Sequence, residues 1–196
     1  MDVSYRNKEV NVCAECEGAG IDCGDRQKCA PVRKDGFRSY KGIRLTADGF
    51  DCALPVTVDS HSSCAYECLY CFSDNIIGHA RQSKALGRTS LGLIEGILNG
   101  RDTADGRRFR EALRYDKRNA AGFPSPIQVG GLCDPCDSIE QNSGWLLEFM
   151  RLATKYDQPV RMSTKGVIFQ LPEYFAGITR KPHLFWIAFS INCNDD

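Results

Sequence analysis

Four apolar runs, at residues 53–58, 126–131, 159–165 and 184–191, are separated by stretches whose apolar residues recur at helical spacing. Strand-length runs alternating with helical patterns are the mark of βαβ units, which place their strands parallel and their helices against the sheet. The chain therefore reads as α/β, with four countable strands. Between the first two runs, Leu91, Ile94 and Leu98 share a helical face, with Ser90 where an N-cap belongs and Gly100 where a helix stops. After the second run, Leu146, Phe149, Met150 and Ala153 form an apolar stripe that Trp145, Leu152 and Tyr156 widen. A short helix is expected over residues 171–175. The last run, 184–191, is nearly continuous in apolar residues and reads as a strand buried on both faces of a parallel sheet.

In parallel α/β architectures, functional groups gather at the carboxyl ends of the strands. The first three runs here end on residues with chemistry. Past the first comes Cys64-Ala-Tyr-Glu-Cys68-Leu-Tyr-Cys71-Phe, three thiols at a C-x3-C-x2-C spacing. Three cysteines do not complete a structural zinc site, which takes four ligands, and one is left over if two of them pair. A [4Fe–4S] cluster normally takes four thiolates, one per iron, so three would leave one iron open to an outside ligand. A zinc site that borrows His61 or Cys52 is the competing reading. The second run ends on Gly130 and Gly131, where bare backbone can approach a ligand closely. Leu132-Cys133-Asp134-Pro135-Cys136-Asp137-Ser138-Ile139-Glu140 follows, with Asp137 or Ser138 suited to cap a helix. The third run ends on Thr164-Lys165, a flexible cation well placed to meet an anion.

With Tyr70 just before its last cysteine, the C-x3-C-x2-C spacing resembles the signature of the radical S-adenosylmethionine (radical SAM) superfamily. The later strand ends are similar to its spore photoproduct lyase-like (DNA repair photolyase-like) branch. The matching elements are Gly130-Gly131, Asp134-Pro135 with Glu140 five residues beyond the proline, Thr164-Lys165, and Phe189-Ser190-Ile191-Asn192. The resemblance spans about residues 53–192. It implies a partial (β/α) barrel of the radical SAM type, apparently truncated after the fourth strand or completed by a partner. It implies that Cys64, Cys68 and Cys71 hold a [4Fe–4S] cluster, and that Tyr70, Gly130, Gly131, Asp134, Lys165 and Ser190 surround S-adenosylmethionine. An electron from the cluster would cleave the sulfonium reductively to a 5′-deoxyadenosyl radical, which abstracts hydrogen from a substrate; that chemistry is the cofactor's own. A reductant such as flavodoxin or ferredoxin is then a required partner. The branch places the Asp-Pro element beside the cofactor and a hydrogen-donating cysteine in the same loop, which makes Cys133 and Cys136 candidate catalytic residues. A redox pair, half a zinc site, or two small buried thiols are the alternatives for this second C-x2-C. Phe72 stands where the branch commonly has tyrosine, and its ring has no transferable O–H, so thymine-dimer repair does not follow.

Residues 1–48 are polar, Gly-rich and poor in apolar periodicity, and are read as a small Cys-rich segment preceding a core at 49–196. Cys13, Cys16, Cys23 and Cys29 could wrap Zn²⁺ or a second iron–sulfur cluster, since four thiolates suit either, and a segment so short of apolar residues needs such a staple. Unliganded surface thiols are the plain alternative. The 25 basic and 25 acidic residues balance, so no polyanion field is implied, though a local basic groove could still meet a nucleic acid. The charged stretch 101–122 is read first as a solvated helix face and loop, second as a phosphate-contacting patch. No run of about eighteen apolar residues predicts a membrane span, and the N-terminus lacks a signal-peptide core. Eleven cysteines without a secretion signal point to metal or redox use in a reducing, cytoplasmic compartment. The alternative to an enzyme is a non-catalytic Cys-rich zinc- or iron–sulfur-binding interaction module.

Overall fold

The computed structural model of the 196-residue chain describes residues 37–46, 53–66, 68, 71, 73, 86–115, 117–118 and 120–191. Cys13, Cys16, Cys23, Cys29, Cys52, Tyr70, Phe72 and Asn192 lie outside the described residues. Seven strands are described: β1 (Arg38–Tyr40), β2 (Ile43–Leu45), β3 (Val56–Val58), β4 (Gly87–Thr89), β5 (Ile127–Val129), β6 (Val160–Thr164) and β7 (Phe185–Phe189). The helices are α1 (Leu91–Leu98), α2 (Ala104–Ala112), α3 (Ser138–Ser143), α4 (Trp145–Lys155) and α5 (Pro172–Thr179). The main sheet has the order β2-β3-β5-β6-β7, parallel from β3 onwards, with β2 antiparallel at one edge. A separate parallel pair joins β1 to β4. The protein is thus a mixed α/β fold. All four expected strands are present, each shorter than its apolar run, and β2, from within the stretch read as N-terminal segment, extends their sheet.

Strand alternation sends neighbouring side chains to opposite faces. Ile43, Val56, Val58, Ile127, Val129, Val160, Met162 and Phe185 join Ile94, Leu98, Phe149 and Met150 of the helices in one core. The residues between them fall in one transverse row, Arg44, Thr57, Gln128, Arg161 and Trp186, set by the register of successive pairs. That row is polar up to Trp186, and Arg161 Nη1 donates to Gln128 Oε1 at 2.7 Å. Such a face departs from the two-sided apolar burial usual for parallel sheets. β7 departs from expectation in the same way. It is the terminal strand of the sheet, and Trp186 and Phe189 are 53% and 54% exposed, so it is not buried on both faces. An apolar run announces a strand; whether a second neighbour covers it is decided elsewhere.

The helices begin and end where local chemistry dictates. Ser90 Oγ accepts from Leu93 N–H at the start of α1, and Gly100 takes the left-handed φ of +81° just after its end. The last carbonyls of α1, at Ile97 and Leu98, accept from the Arg110 guanidinium, a cation at the negative end of the helix. The charged stretch becomes α2, which buries Phe109 and Ala112 and leaves Arg107, Arg108 and Glu111 in solvent. The expected stripe of α4 is the one buried, and Trp145 also stacks on Phe149 and donates to the Thr89 carbonyl at 2.8 Å. α1 packs on α2 and α4, and α4 on α5. Among the described residues no helix is long and apolar enough to cross a membrane.

Candidate active site

A cavity of ≈ 200 Å³ opens at the carboxyl ends of β3, β5, β6 and β7. Cys64, Cys68, Cys71, Gly131, Cys133, Asp134, Lys165 and Ser190 line it, eight of the residues singled out from sequence. Tyr66, Ser73, Leu132, Ser163 and Thr164 complete the wall. Ser163 and Lys165 share the alternation of Arg161, and Ser190 that of Trp186, so the cavity forms where the polar face of the sheet runs out. Gly130 and Cys136 stand behind the wall and do not line it.

Asp59, which sequence reasoning did not single out, organises the end of β3. Its side chain is completely buried, and Oδ1 accepts from the N–H groups of Gly131 and Leu132, both at 2.7 Å, and of Cys133 at 3.4 Å. Arg44 pairs with the other oxygen. The two glycines follow from this. Gly130 has φ +78°, and a Cβ on Gly131 would stand 2.5 Å from Arg44 Nη2 and 2.9 Å from Thr57 Cγ2. What approaches the glycine turn closely is the protein itself. With the Gly131 and Leu132 N–H groups engaged on Asp59 and that of Gly130 on the Val58 carbonyl, the turn can still offer a ligand carbonyl oxygen, the partner an ammonium group requires.

The turn after β5 carries three carboxylates with three different tasks. Asp134 accepts from Cys136 N–H at 2.9 Å, Thr164 Oγ1 at 2.6 Å and Lys165 N–H at 2.7 Å, which ties the turn to the end of β6. Asp137 caps α3 by accepting from Ile139 N–H, as expected, and also accepts from Ala65 N–H at 2.8 Å, beside the first thiol. Glu140 does not stand beside the cavity, contrary to what the Asp-Pro element implied. It is buried, takes Tyr174 Oη–H at 2.7 Å and Ser143 Oγ–H at 3.0 Å, and caps α4 through Leu146 N–H at 2.9 Å. Gly144, with φ +58°, breaks the chain between α3 and α4 so that this carboxylate can reach α4's start.

The five described cysteines, Cys64, Cys68, Cys71, Cys133 and Cys136, form no disulfide with one another. Cys64 is pushed up by burial, partly offset by the N–H groups of Tyr66 and Asp134, which hydrogen-bond its sulfur. Cys71 Sγ lies 2.8 Å from Ser73 Oγ. Cys133 Sγ lies 3.4 Å from Ser60 Oγ and 3.9 Å from Asp59 Oδ1, and burial, then that carboxylate, pushes its pKa far above the ordinary thiol value. Burial pushes Cys136 up to about 12, against the pull of a hydrogen bond from Thr164. Cys133 and Cys136 are therefore held as S–H at neutral pH, unlike nucleophilic thiolates. Tyr66 Oη–H reaches the Cys136 carbonyl at 3.5 Å, and burial, then Asp134, pushes its phenol up to about 12. Beneath the loop, His61 is buried and lowered to about 4, first by burial and then by Arg88. Its Nδ1 stands 3.0 Å from Ser60 Oγ, while Nε2 has no hydrogen-bond partner among the described residues.

Among the described residues no three His, Cys, Asp or Glu side chains converge as ligands of one metal ion. The donor chemistry of the wall nevertheless suits a cluster. Three soft sulfur donors from one loop, with Cys133 from the turn after β5, face one cavity, a donor set suited to zinc or iron–sulfur centres. No protein-family model matches the chain, and no curated protein or solved structure matches it. Of the unanticipated groups, Asp59 had the clearest signal, an acid directly at the end of an apolar strand and followed by Ser60 and His61.

Proposed function

We propose that the chain is a radical SAM enzyme. In this reading Cys64, Cys68 and Cys71 hold a [4Fe–4S] cluster, and the cavity beside them takes S-adenosylmethionine. The observation that carries it is the meeting in one cavity of the three C-x3-C-x2-C thiols with the carboxyl ends of three further parallel strands, Cys133 joining them from the turn after β5. The polar face of the sheet, uncovered at Arg161 and Trp186, supports reading the strands as part of a (β/α) barrel of the radical SAM type, with that face towards the lumen. When bound, the cluster supplies the electron that cleaves the cofactor's sulfonium and so gives a radical able to take hydrogen from a substrate.

The chain's own groups have separable tasks. Lys165 offers the ammonium that a carboxylate requires, and its backbone is fixed by Asp134. The glycine turn, its N–H groups spent on Asp59 and on the Val58 carbonyl, presents acceptors to an amino group. Ser190, held by its N–H on the Thr164 carbonyl at 2.8 Å, brings a hydroxyl to the same cavity. Cys133 Sγ, kept protonated at the wall, is the transferable hydrogen within reach of a bound ligand.

Anaerobic reconstitution followed by an assay for 5′-deoxyadenosine tests the proposal. Iron approaching a cluster's four per chain, together with product, is the expected result, and Cys68→Ala removes both. Zinc in place of iron, or a full cluster that yields no 5′-deoxyadenosine, overturns it in favour of a non-catalytic metal module.

A further inference from the structure

Asp137 touches the thiol loop as well as its own helix. One carboxylate oxygen caps α3 at Ile139 N–H, 2.9 Å away, and the other takes Ala65 N–H at 2.8 Å, one residue beyond Cys64. The residue is 2% exposed. The bond to Ala65 fixes the peptide that leads into Tyr66, whose N–H in turn points at the Cys64 sulfur together with that of Asp134. Tyr66 is held at its other end by the Cys136 carbonyl, so the loop leans on the β5–α3 turn at two points. α3 itself needs no charge here, because asparagine caps a helix as well as aspartate does.

We propose that Asp137 is the positioning residue for Cys64 as a cluster ligand, and that its buried negative charge holds the cluster at a low reduction potential. The inference rests on the cluster reading of the three thiols. Iron–sulfur potentials follow net charge, hydrogen bonds to the sulfurs and exposure. A carboxylate sealed beside one ligand disfavours an added electron, and in a low-dielectric site that charge outweighs a single hydrogen bond. A low potential is what reductive cleavage of a sulfonium demands of its electron donor.

Asp137→Asn isolates the effect. The amide keeps an oxygen for the α3 cap but has no second acceptor for Ala65 and carries no charge. In the full-length, metal-free chain, Ala65 amide exchange and alkylation of Cys64 are each expected to accelerate about tenfold, the equivalent of one lost hydrogen bond, while exchange within α3 stays unchanged. After anaerobic reconstitution, an electron-paramagnetic-resonance titration is expected to show similar iron content and a more positive midpoint than wild type, with Asp137→Glu restoring the lower value. An unchanged Ala65 exchange rate, or identical midpoints in loaded wild type and Asp137→Asn, overturns the role of Asp137. Failure of the wild-type chain to take up a cluster overturns the cluster reading itself, and the proposed redox role with it.

Discussion

The two ends of the same parallel sheet are closed by different chemistry. At the amino ends of β5 and β6, the fully buried Gln158 donates to the Ser125 and Pro159 carbonyls at 2.9 and 2.8 Å and accepts from Tyr115 Oη–H at 2.8 Å. Every group in that network is neutral. At the carboxyl ends the corresponding closures are carboxylates: Asp59 gathers the glycine turn, Asp134 the end of β6, and Asp137 the thiol loop. A neutral network satisfies buried backbone without importing charge. Buried ions are weak evidence for stability, because desolvation offsets much of their attraction. Holding a fold together does not require the charged solution, as the amino end demonstrates. The charged solution sits where a cavity forms, and electrostatics there acts on whatever the cavity contains.

The sharpest test of this contrast is removal of Asp59. Asp59→Ala leaves Arg44 without its buried partner and two close N–H donors without an acceptor, and is expected to destabilise the chain by about 3–5 kcal/mol. Chemical denaturation measures it directly. A loss no greater than that of Gln158→Ala, for which about 1–3 kcal/mol is expected from unsatisfied backbone, would erase the distinction between the two ends.

Acid separates the ends next. His61, beneath the thiol loop, has its native value lowered to about 4 from the ordinary 6.5, so the unfolded chain binds the proton first. Stability from this group is complete above the ordinary value, falls as pH drops through the interval down to about 4, and is level below it. At roughly 1.4 kcal/mol per unit of difference, the loss amounts to a few kcal/mol. Burial raises Asp137 and Glu140, so their contributions run the other way, growing as they take up protons and shrinking as pH rises through their native values. Urea midpoints measured across the interval should therefore fall with acid in wild type and flatten in His61→Phe. The same slope in both would remove His61 as its source. Gln158→Ala should leave the slope untouched, since Gln158 itself does not titrate and Tyr115, its phenol partner, is pushed up to about 12 by burial.

How much of this was legible in the sequence divides along the same line. The four expected strands, α1 with its Ser90 cap, and the buried face of α4 follow from the apolar runs and their periodicity, which register which residues go inward. The eight cavity residues were identifiable from the C-x3-C-x2-C spacing, from the glycine pair and Lys165 that close two apolar runs, from the second C-x2-C, and from the resemblance that singled out Asp134 and Ser190. β1, β2 and β4 are no shorter than β3 or β5, but were not legible because Arg38-Ser-Tyr40, Ile43-Arg-Leu45 and Gly87-Arg-Thr89 stand in no apolar run. The exposure of Trp186 and Phe189 was hidden because an apolar run reads alike at the centre of a sheet and at its edge. Glu140 was misplaced for another reason. Its position after Asp-Pro is visible, but its bonds to Tyr174 and Leu146 depend on how α3, α4 and α5 pack. Side chains that stitch distant segments, Asp59 and Gln158 above all, leave only their own letter in the sequence.

The smallest expected effect sharpens the comparison most finely, because it removes one hydroxyl from each end. Tyr115→Phe takes the donor from Gln158 Oε1, and Thr164→Val takes the donor from Asp134 Oδ1. Tyr115→Phe is expected to cost about 1 kcal/mol, the usual net value of one hydrogen bond, and Thr164→Val about 2 kcal/mol, because its hydroxyl also accepts from Gly166 N–H at 2.8 Å; both are read as shifts in the denaturation midpoint. Their effects on ligand binding should differ. Thr164 lines the cavity and, through Asp134, shares the carboxylate that fixes the Lys165 backbone, whereas Tyr115 lies at the opposite end of the strands. Thr164→Val should therefore weaken S-adenosylmethionine binding in equilibrium dialysis of the reconstituted chain, while Tyr115→Phe leaves it at the wild-type level. Equal weakening in both would mean that the two ends form one cooperative unit, and that carboxylates at the cavity mark no division of labour.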